Sequence, residues 1–308
     1  MLKERHFQLP HIRLAALEVE HQNTTDFHAE NGQVNHEEVT LLFLHGWLDN
    51  AASFHSVLEH LSQMPETQHW RMLALDFPGH GLSDRRDKND FYAFHDYIAD
   101  LHYLLNQICA KNLILVGHSL GALVASCYSA AFPENVRGLV QIEGLGPLSD
   151  DSANTVSRLR KGILSRQRIL AKPLRRYESQ RDACLHRMEA NKLTAKQLKP
   201  MIERGTVEQD GFWYWRYDPK LRCESPYRMT EEQALTYLEA VECPNLLILG
   251  DKGFPQLAQA TERKQALNTQ NTDNKQNEQV TVSGGHHCHI QSPEAVSQLL
   301  VKFTQSIF

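Results

Sequence analysis

The stretch Leu113-Ile114-Leu115-Val116-Gly117-His118-Ser119-Leu120-Gly121-Ala122-Leu123-Val124-Ala125-Ser126-Cys127-Tyr128-Ser129-Ala130-Ala131 decides the fold of this 308-residue chain. Its first four residues form a short apolar run that ends at a glycine, the pattern of a strand buried on both faces. Leu120–Ala131 is small or apolar throughout, which predicts a helix packed close against the sheet. Between them stands Gly-x-Ser-x-Gly. A serine on so sharp a strand-to-helix turn is strained, and glycines on both sides let the neighbouring backbones close around it. The helix N-terminus behind the serine favours developing negative charge. The plainer reading is an N-cap serine beside packing glycines; the strand–turn–helix setting argues instead for a nucleophile.

Runs of the same form lie outward from this segment. They are Val39–Gly46 (VTLLFLHG), Met72–Gly79 (MLALDFPG), Leu139–Gly144 (LVQIEG), Asn245–Gly250 (NLLILG) and Gln279–Gly285 (QVTVSGG). A helical pattern over Ala93–Ile108 places Phe94, Ile98, Leu101, Leu104 and Leu105 on one face. Strands alternating with helices predict an α/β fold with a mostly parallel, doubly wound sheet. The N-terminal alternations at Phe7–Leu9 and Ile12 to Val19 predict one or two further strands. A polar excursion follows, with a turn at Asn31-Gly32.

One segment breaks the alternation. From Pro147 to about Met229 no strand-like run is found, and the length suits three or four helices. Ser157–Gly205 holds 14 Lys or Arg against 4 Asp or Glu. An all-helical cap is expected over residues 147–229, dividing a core of residues 1–146 and 230–308. Thr230–Val241 then opens with Thr at the N-cap and Gln at the third helical position, a capping box that returns the chain to the sheet.

Composition narrows the function classes. Hydrophobic residues make up 41% and charged residues 22%, ordinary for a globular protein and too apolar for a disordered one. Thirty-two Lys and Arg against 37 Asp and Glu give a net charge of −5, so no general field favours nucleic acid. Six dispersed cysteines without a CxxC pair suit a reducing compartment rather than a disulfide scaffold. Mean hydropathy is −0.46 and no run of spanning length or signal-peptide core is found, so a soluble, cytoplasmic protein is expected.

Three more segments join the elbow in one resemblance. Leu44-His45-Gly46-Trp47 is similar to the H-G-x loop of the α/β-hydrolases. Asp76-Phe77-Pro78-Gly79-His80-Gly81-Leu82-Ser83 is similar to their D-x-x-G-x-G-x-S segment, and Gly285-His286 to their late G-H segment. WRYDPKLR followed by SPYRMTEEQ resembles the serine-hydrolase-like branch. The resemblance covers nearly all of the chain outside the N-terminal excursion and the cap. It implies Ser119 as nucleophile, His286 as base, and an oxyanion hole from the backbone N–H groups of Trp47 and Leu120. The Trp47 side chain either lines an acyl pocket or packs in the core.

His286, His287 and His289 compete for the base. Aligning HIQSPEAV with the family's late segment leaves His286, directly after glycine, in that role. His-His-x-His also suggests a metal, but no Cys or carboxylate pair accompanies it at ligand spacing, and the reading assigns no metal and no cofactor. The acid departs from the common pattern. Most relatives carry aspartate three residues past the glycine ending the NLLILG-type strand, and Gly253 stands there. Glu143, at the end of LVQIEG, is the favoured acid and Asp251 the alternative. A carboxylate ending a buried strand is costly unless paired.

A serine nucleophile suits attack on an acyl carbonyl, so the expected activity is that of a carboxylesterase-like serine hydrolase on a small acyl ester or thioester. Amide or C–C cleavage and perhydrolase chemistry stay open, as does a non-catalytic binding member of the fold. The aromatics Gly211–Tyr217 either wall an acyl pocket or pin the cap. The basic cap either attracts an anionic substrate or presents a solvated face. The oligomeric state is not legible.

Overall fold

The computed structural model describes residues 1–20, 38–269 and 277–308. The turn expected at Asn31-Gly32 lies outside them. In chain order the strands are β1 (Leu2–Gln8), β2 (Arg13–Val19), β3 (Thr40–Leu44), β4 (Arg71–Leu75), β5 (Leu113–His118), β6 (Val136–Ile142), β7 (Thr206–Gln209), β8 (Phe212–Trp215), β9 (Asn245–Gly250) and β10 (Asn277–Val282). The helices are α1 (His55–Gln63), α2 (Phe94–Ile108), α3 (Leu120–Ala131), α4 (Thr155–Leu170), α5 (Gln180–Asn191), α6 (Ala195–Gly205), α7 (Glu231–Glu239), α8 (Pro255–Ala258), α9 (Thr261–Leu267), α10 (Cys288–Gln291) and α11 (Pro293–Ile307).

Eight strands form one sheet in the order β1-β2-β4-β3-β5-β6-β9-β10. β1 and β2 pair antiparallel as a hairpin, and β2 is antiparallel to β4. Every pairing from β4 to β10 is parallel. The buried strands alternate between two cores, as side chains on successive residues point to opposite faces. Leu42 and Leu44 of β3 join α2, α3, α7 and α9 on one side, while Leu41 and Phe43 join α1 and α11 on the other. Burying both faces is what makes these strands read as unbroken apolar runs. The family's fold class is thus observed: a mostly parallel sheet with helices on both sides. No helix among the described residues is long and apolar enough to cross a membrane.

The parallel order brings the carboxyl ends of β3, β4, β5, β6, β9 and β10 to one edge, where open α/β sheets place their sites. Asp76, just past β4, organises part of that edge. Its fully buried carboxylate accepts from the N–H groups of Ala51 at 2.6 Å and Leu82 at 2.8 Å. Arg204 of α6 reaches it at 2.8 Å and pairs with Glu4 of β1 at 2.6 Å, with the guanidinium 7% exposed. The Ser83 hydroxyl donates to the Asp76 carbonyl at 2.6 Å and accepts from Ala15 N–H at 2.8 Å. The D-x-x-G-x-G-x-S spacing therefore ties β4 to β2 and to α6.

Between Pro147 and Met229 lies an insertion whose ends meet in a bridge of Ser149 to Met229. The expectation that it is all helical is corrected. It holds α4, α5 and α6, but also the β7–β8 hairpin. Asp210 and Gly211 both have positive φ, 52° and 77°. That is what a tight two-residue hairpin turn requires. The aromatic run Phe212–Trp215 suits a strand, and the hairpin is held by paired hydrogen bonds between Tyr177 and Trp213 of 2.9 and 2.8 Å. After the insertion α7 starts with the expected capping box of Thr230 and Gln233.

Removing one partner of a buried ion pair leaves the other charge uncompensated. Arg204→Met is expected to lower the unfolding free energy by about 3–5 kcal/mol, read by denaturant titration. Lys199→Met, which removes an exposed pair with Glu203 on the same helix, is expected to stay within about 1 kcal/mol of the parent.

Candidate active site

β5 hands directly to α3, and Ser119 sits at the junction with φ 49° and ψ −115°. The turn is held by Ser119 N–H donating to the Ile142 carbonyl at 2.9 Å. A side chain at Gly117 would meet the Gly121 carbonyl at 2.4 Å, and one at Gly121 would meet the Leu44 carbonyl at 1.9 Å. Both glycines are therefore demanded by close approach, as the sequence pattern required. Glu143, past β6, is another non-glycine residue with positive φ, 48°. Such backbone strain persists only where surrounding structure enforces it, and it gathers at functional sites.

His286 Nδ1 lies 3.2 Å from Glu143 Oε2. The carboxylate is 1% exposed and also accepts from Gly250 N–H at 2.8 Å and Phe254 N–H at 3.1 Å. The ring of Phe254 covers His286 at a centroid distance of 4.3 Å. A side chain at Gly253 would stand 2.0 Å from Glu143 Oε1. The absent side chain at the common acid position is thus the space that the Glu143 carboxylate occupies. Asp251 faces elsewhere: its carboxylate is exposed and accepts from Gly284 N–H at 2.8 Å, tying the end of β9 to the loop after β10. With Nδ1–H donating to Glu143, the His286 Nε2 is left as the unprotonated nitrogen. Among the described residues no hydrogen bond joins the Ser119 hydroxyl to it; such contacts are often long without substrate.

Trp47 lies in the loop after β3, and Leu120 is the first residue of α3. The Leu120 N–H lies in the first turn of α3, where backbone donors have no intrahelical acceptor. The Trp47 side chain is 53% exposed rather than packed in the core, and its indole N–H donates to the Leu221 carbonyl of the insertion at 2.9 Å. Below it, two buried histidines have fixed tautomers. His45 donates from Nδ1 to the Gly46 carbonyl at 2.7 Å and accepts at Nε2 from Phe77 N–H at 3.0 Å. His80 donates to the Pro78 carbonyl at 3.0 Å and accepts from Leu48 N–H at 3.2 Å. Burial lowers His45 to about 4 and His80 to about 3.

The sequence reading missed Asp49. This buried carboxylate lies 3.3 Å from His287 Nε2 and 3.6 Å from His118 Nδ1, and pairs with Arg187 of α5. His287 thus turns to Asp49 while its neighbour His286 turns to Glu143. His289 is fully buried against the rings of Phe54 and His118, at 4.9 and 4.2 Å. Burial and the adjacent histidines hold His118 and His289 well below the usual histidine range. No local motif announces Asp49; only the meeting of the end of β5 with the loops after β3 and β10 brings it to the histidines.

The insertion holds a cavity of about 250 Å³ lined by Lys172, Arg175 and Arg222 with Tyr214, Trp215 and Tyr217. Ser119, Glu143 and His286 are not among its walls.

A strained serine at a strand–helix elbow and a carboxylate–imidazole pair thus stand at the same sheet edge. A family model described as the alpha/beta hydrolase fold matches residues 39–293, and the chain belongs to that family. Within it the chain resembles serine hydrolase-like proteins. It is 30% identical to the one from Danio rerio over 86% of this chain and 81% of that one. The Dictyostelium discoideum relative is 28% identical over 85% of this chain and 74% of its own length. The crystal structure of a hypothetical protein from Pseudomonas aeruginosa PAO1 superposes with a TM-score of 0.81 at 28% identity, covering 98% of this chain and 99% of that one.

Two outcomes follow from this geometry. Because the folded state keeps His45 and His80 neutral below 6.5, the unfolded chain binds more protons in that range. Their stabilising contribution is complete above about pH 6.5 and drains as pH falls towards about 4 for His45 and about 3 for His80. Denaturant midpoints should therefore fall from pH 7 to pH 5, and less steeply in His80→Gln. Gly253→Ala should push the Glu143 carboxylate off His286, seen as loss of the low-field imidazole Nδ1 proton resonance while circular dichroism matches the parent.

Proposed function

We propose that this chain, a hydrolase by family, is a serine hydrolase that cleaves an acyl ester or thioester through an acyl-enzyme on Ser119. His286 Nε2 takes the Ser119 proton as Oγ attacks the acyl carbonyl. The amides of Trp47 and Leu120 hold the oxyanion, and Glu143 fixes the His286 tautomer and steadies the imidazolium. The proton passes from His286 to the departing alcohol or thiol. Water then attacks the acyl-enzyme with His286 again as base, releasing the carboxylic acid and Ser119. Residues 147–229 act as a cap over this edge, and the basic side chains they carry favour a substrate with a negative charge.

The observation that carries this reading is the Glu143–His286 contact of 3.2 Å, made in the space that Gly253 leaves open. A carboxylate ending a buried strand, fixed by two backbone N–H groups and aimed at one imidazole nitrogen, is what a triad acid needs.

A fluorophosphonate probe should label the parent protein and not Ser119→Ala, and p-nitrophenyl ester turnover should fall by orders of magnitude in that variant. Labelling that persists in a well-folded Ser119→Ala removes the assignment. Glu143→Gln should lower kcat by up to about 10⁴, while Asp251→Asn stays close to the parent. The reverse ranking would put the acid after β9. His286→Ala should cost far more turnover than His287→Gln; the opposite order would move the base by one residue.

A further inference from the structure

His118 donates from Nε2 to the His286 carbonyl at 2.8 Å, because a carbonyl can only accept. Its neutral ring therefore presents a bare lone pair at Nδ1. That atom is buried without a hydrogen-bond partner, and the atom it faces is a second acceptor, Asp49 Oδ2, at 3.6 Å. Two acceptors that point at one another inside a protein are unfavourable unless a proton or a metal cation stands between them. His287 Nε2 faces the same carboxylate oxygen at 3.3 Å. The three ligand atoms lie within 4.8 Å of one another, and all three residues are more than nine-tenths buried.

We propose that Asp49 Oδ2, His118 Nδ1 and His287 Nε2 form a binding site for a divalent transition-metal ion of the Zn²⁺ or Co²⁺ class. The Asp49–His118 and Asp49–His287 separations of 3.6 and 3.3 Å are close to the edges of about 3.3 Å in a tetrahedron with arms of about 2 Å, and the two imidazole nitrogens lie within 4.8 Å of one another. The hydrogen bond from His118 to a backbone carbonyl is the support that metal-bound imidazoles commonly have, since it fixes the tautomer that offers the other nitrogen. Gly46 keeps the space open: a side chain there would stand 2.8 Å from His118 Nδ1 and 2.9 Å from Asp49 Oδ2. Binding moves the His287 proton to Nδ1 or to solvent, leaving Nε2 free to coordinate. The Asn191 amide nitrogen lies 3.3 Å from that nitrogen.

The donor set also selects the ion. Two imidazoles and one carboxylate oxygen suit Zn²⁺, Co²⁺, Ni²⁺ or Cu²⁺ better than Mg²⁺ or Ca²⁺, which take oxygen ligands. Arg187 holds the other carboxylate oxygen, so Asp49 is already partly neutralised. Affinity must come from the imidazoles, which deepens the preference against hard ions.

The test is titration of the whole chain with Co²⁺, followed by visible spectroscopy and calorimetry. One saturable equivalent with the intense bands of tetrahedral cobalt is expected, displaced by Zn²⁺ and untouched by excess Mg²⁺. His287→Gln should lose the bands and weaken binding at least tenfold while circular dichroism matches the parent. Asp49→Asn is a second variant with the same expectation. Absence of a saturable equivalent, or identical bands in a folded His287→Gln, overturns the site; the cluster is then bridged by protons alone, or the cobalt sits on other histidines. Ester turnover plays no part in this measurement, so it stands apart from the assignment of Ser119.

Discussion

The Leu44 carbonyl occupies the place where a side chain on Gly121 would be, 1.9 Å from where a Cβ would stand. That contact draws the first turn of α3 against the end of β3 and leaves β5 no room for a gradual exit. Ser119 takes the strained backbone that results. The amides of Trp47, in the loop after β3, and of Leu120, at the start of α3, are drawn to the same edge for the same reason. An alanine at Gly121 would widen the gap between α3 and the sheet, and every element that closes around the serine would shift with it. The strain at Ser119 is stored by packing, in apolar strands buried on both faces.

A second constraint places the carboxylate. β6 lies between β5 and β9 in the sheet, so its carboxyl end is beside both the elbow and the loop that carries Gly253. A carboxylate may approach the imidazole from either strand end, but both cannot occupy the same volume. Glu143 fills it here, and Asp251 is left to tie the β9 loop to Gly284. The longer glutamate arm, on a residue with left-handed φ, spans the distance that an aspartate on the β9 loop covers in the more common arrangement.

These relations differ in how far they could be read from the chain. The elbow, the strands of the parallel sheet and the capping box at Thr230 depend on spacing within a few residues, and the sequence carries that spacing openly. The β7–β8 hairpin was legible too, in Asp210-Gly211 before an aromatic run. Its aromatics suit pocket walls or cap anchors equally well, which hides the strand. Asp49 was not legible at all. Its partners His118 and His287 are 69 and 238 residues further along the chain, from 118 − 49 and 287 − 49, and only the strand order brings the three loops together. Gly253 read as a missing acid; its real content, a space reserved for another residue, is visible only once Glu143 is seen in it.

The positive charge of the insertion takes on a different meaning in this light. A basic helical segment ordinarily presents a solvated face, yet Arg187 and Arg204 turn inward, 13% and 7% exposed. Each pairs with an aspartate just past a core strand, Asp49 after β3 and Asp76 after β4. A buried carboxylate without such a partner would be strongly destabilising, so the core cannot keep these two charges without the insertion. The insertion in turn is held where its arginines reach, above the carboxyl edge of the sheet. Movement of α5 would disturb Asp49 and the histidines behind His286, whereas movement of α6 would disturb Asp76 and the loops that carry His45 and His80. The insertion and the two aspartates at the sheet edge are therefore parts of one electrostatic unit.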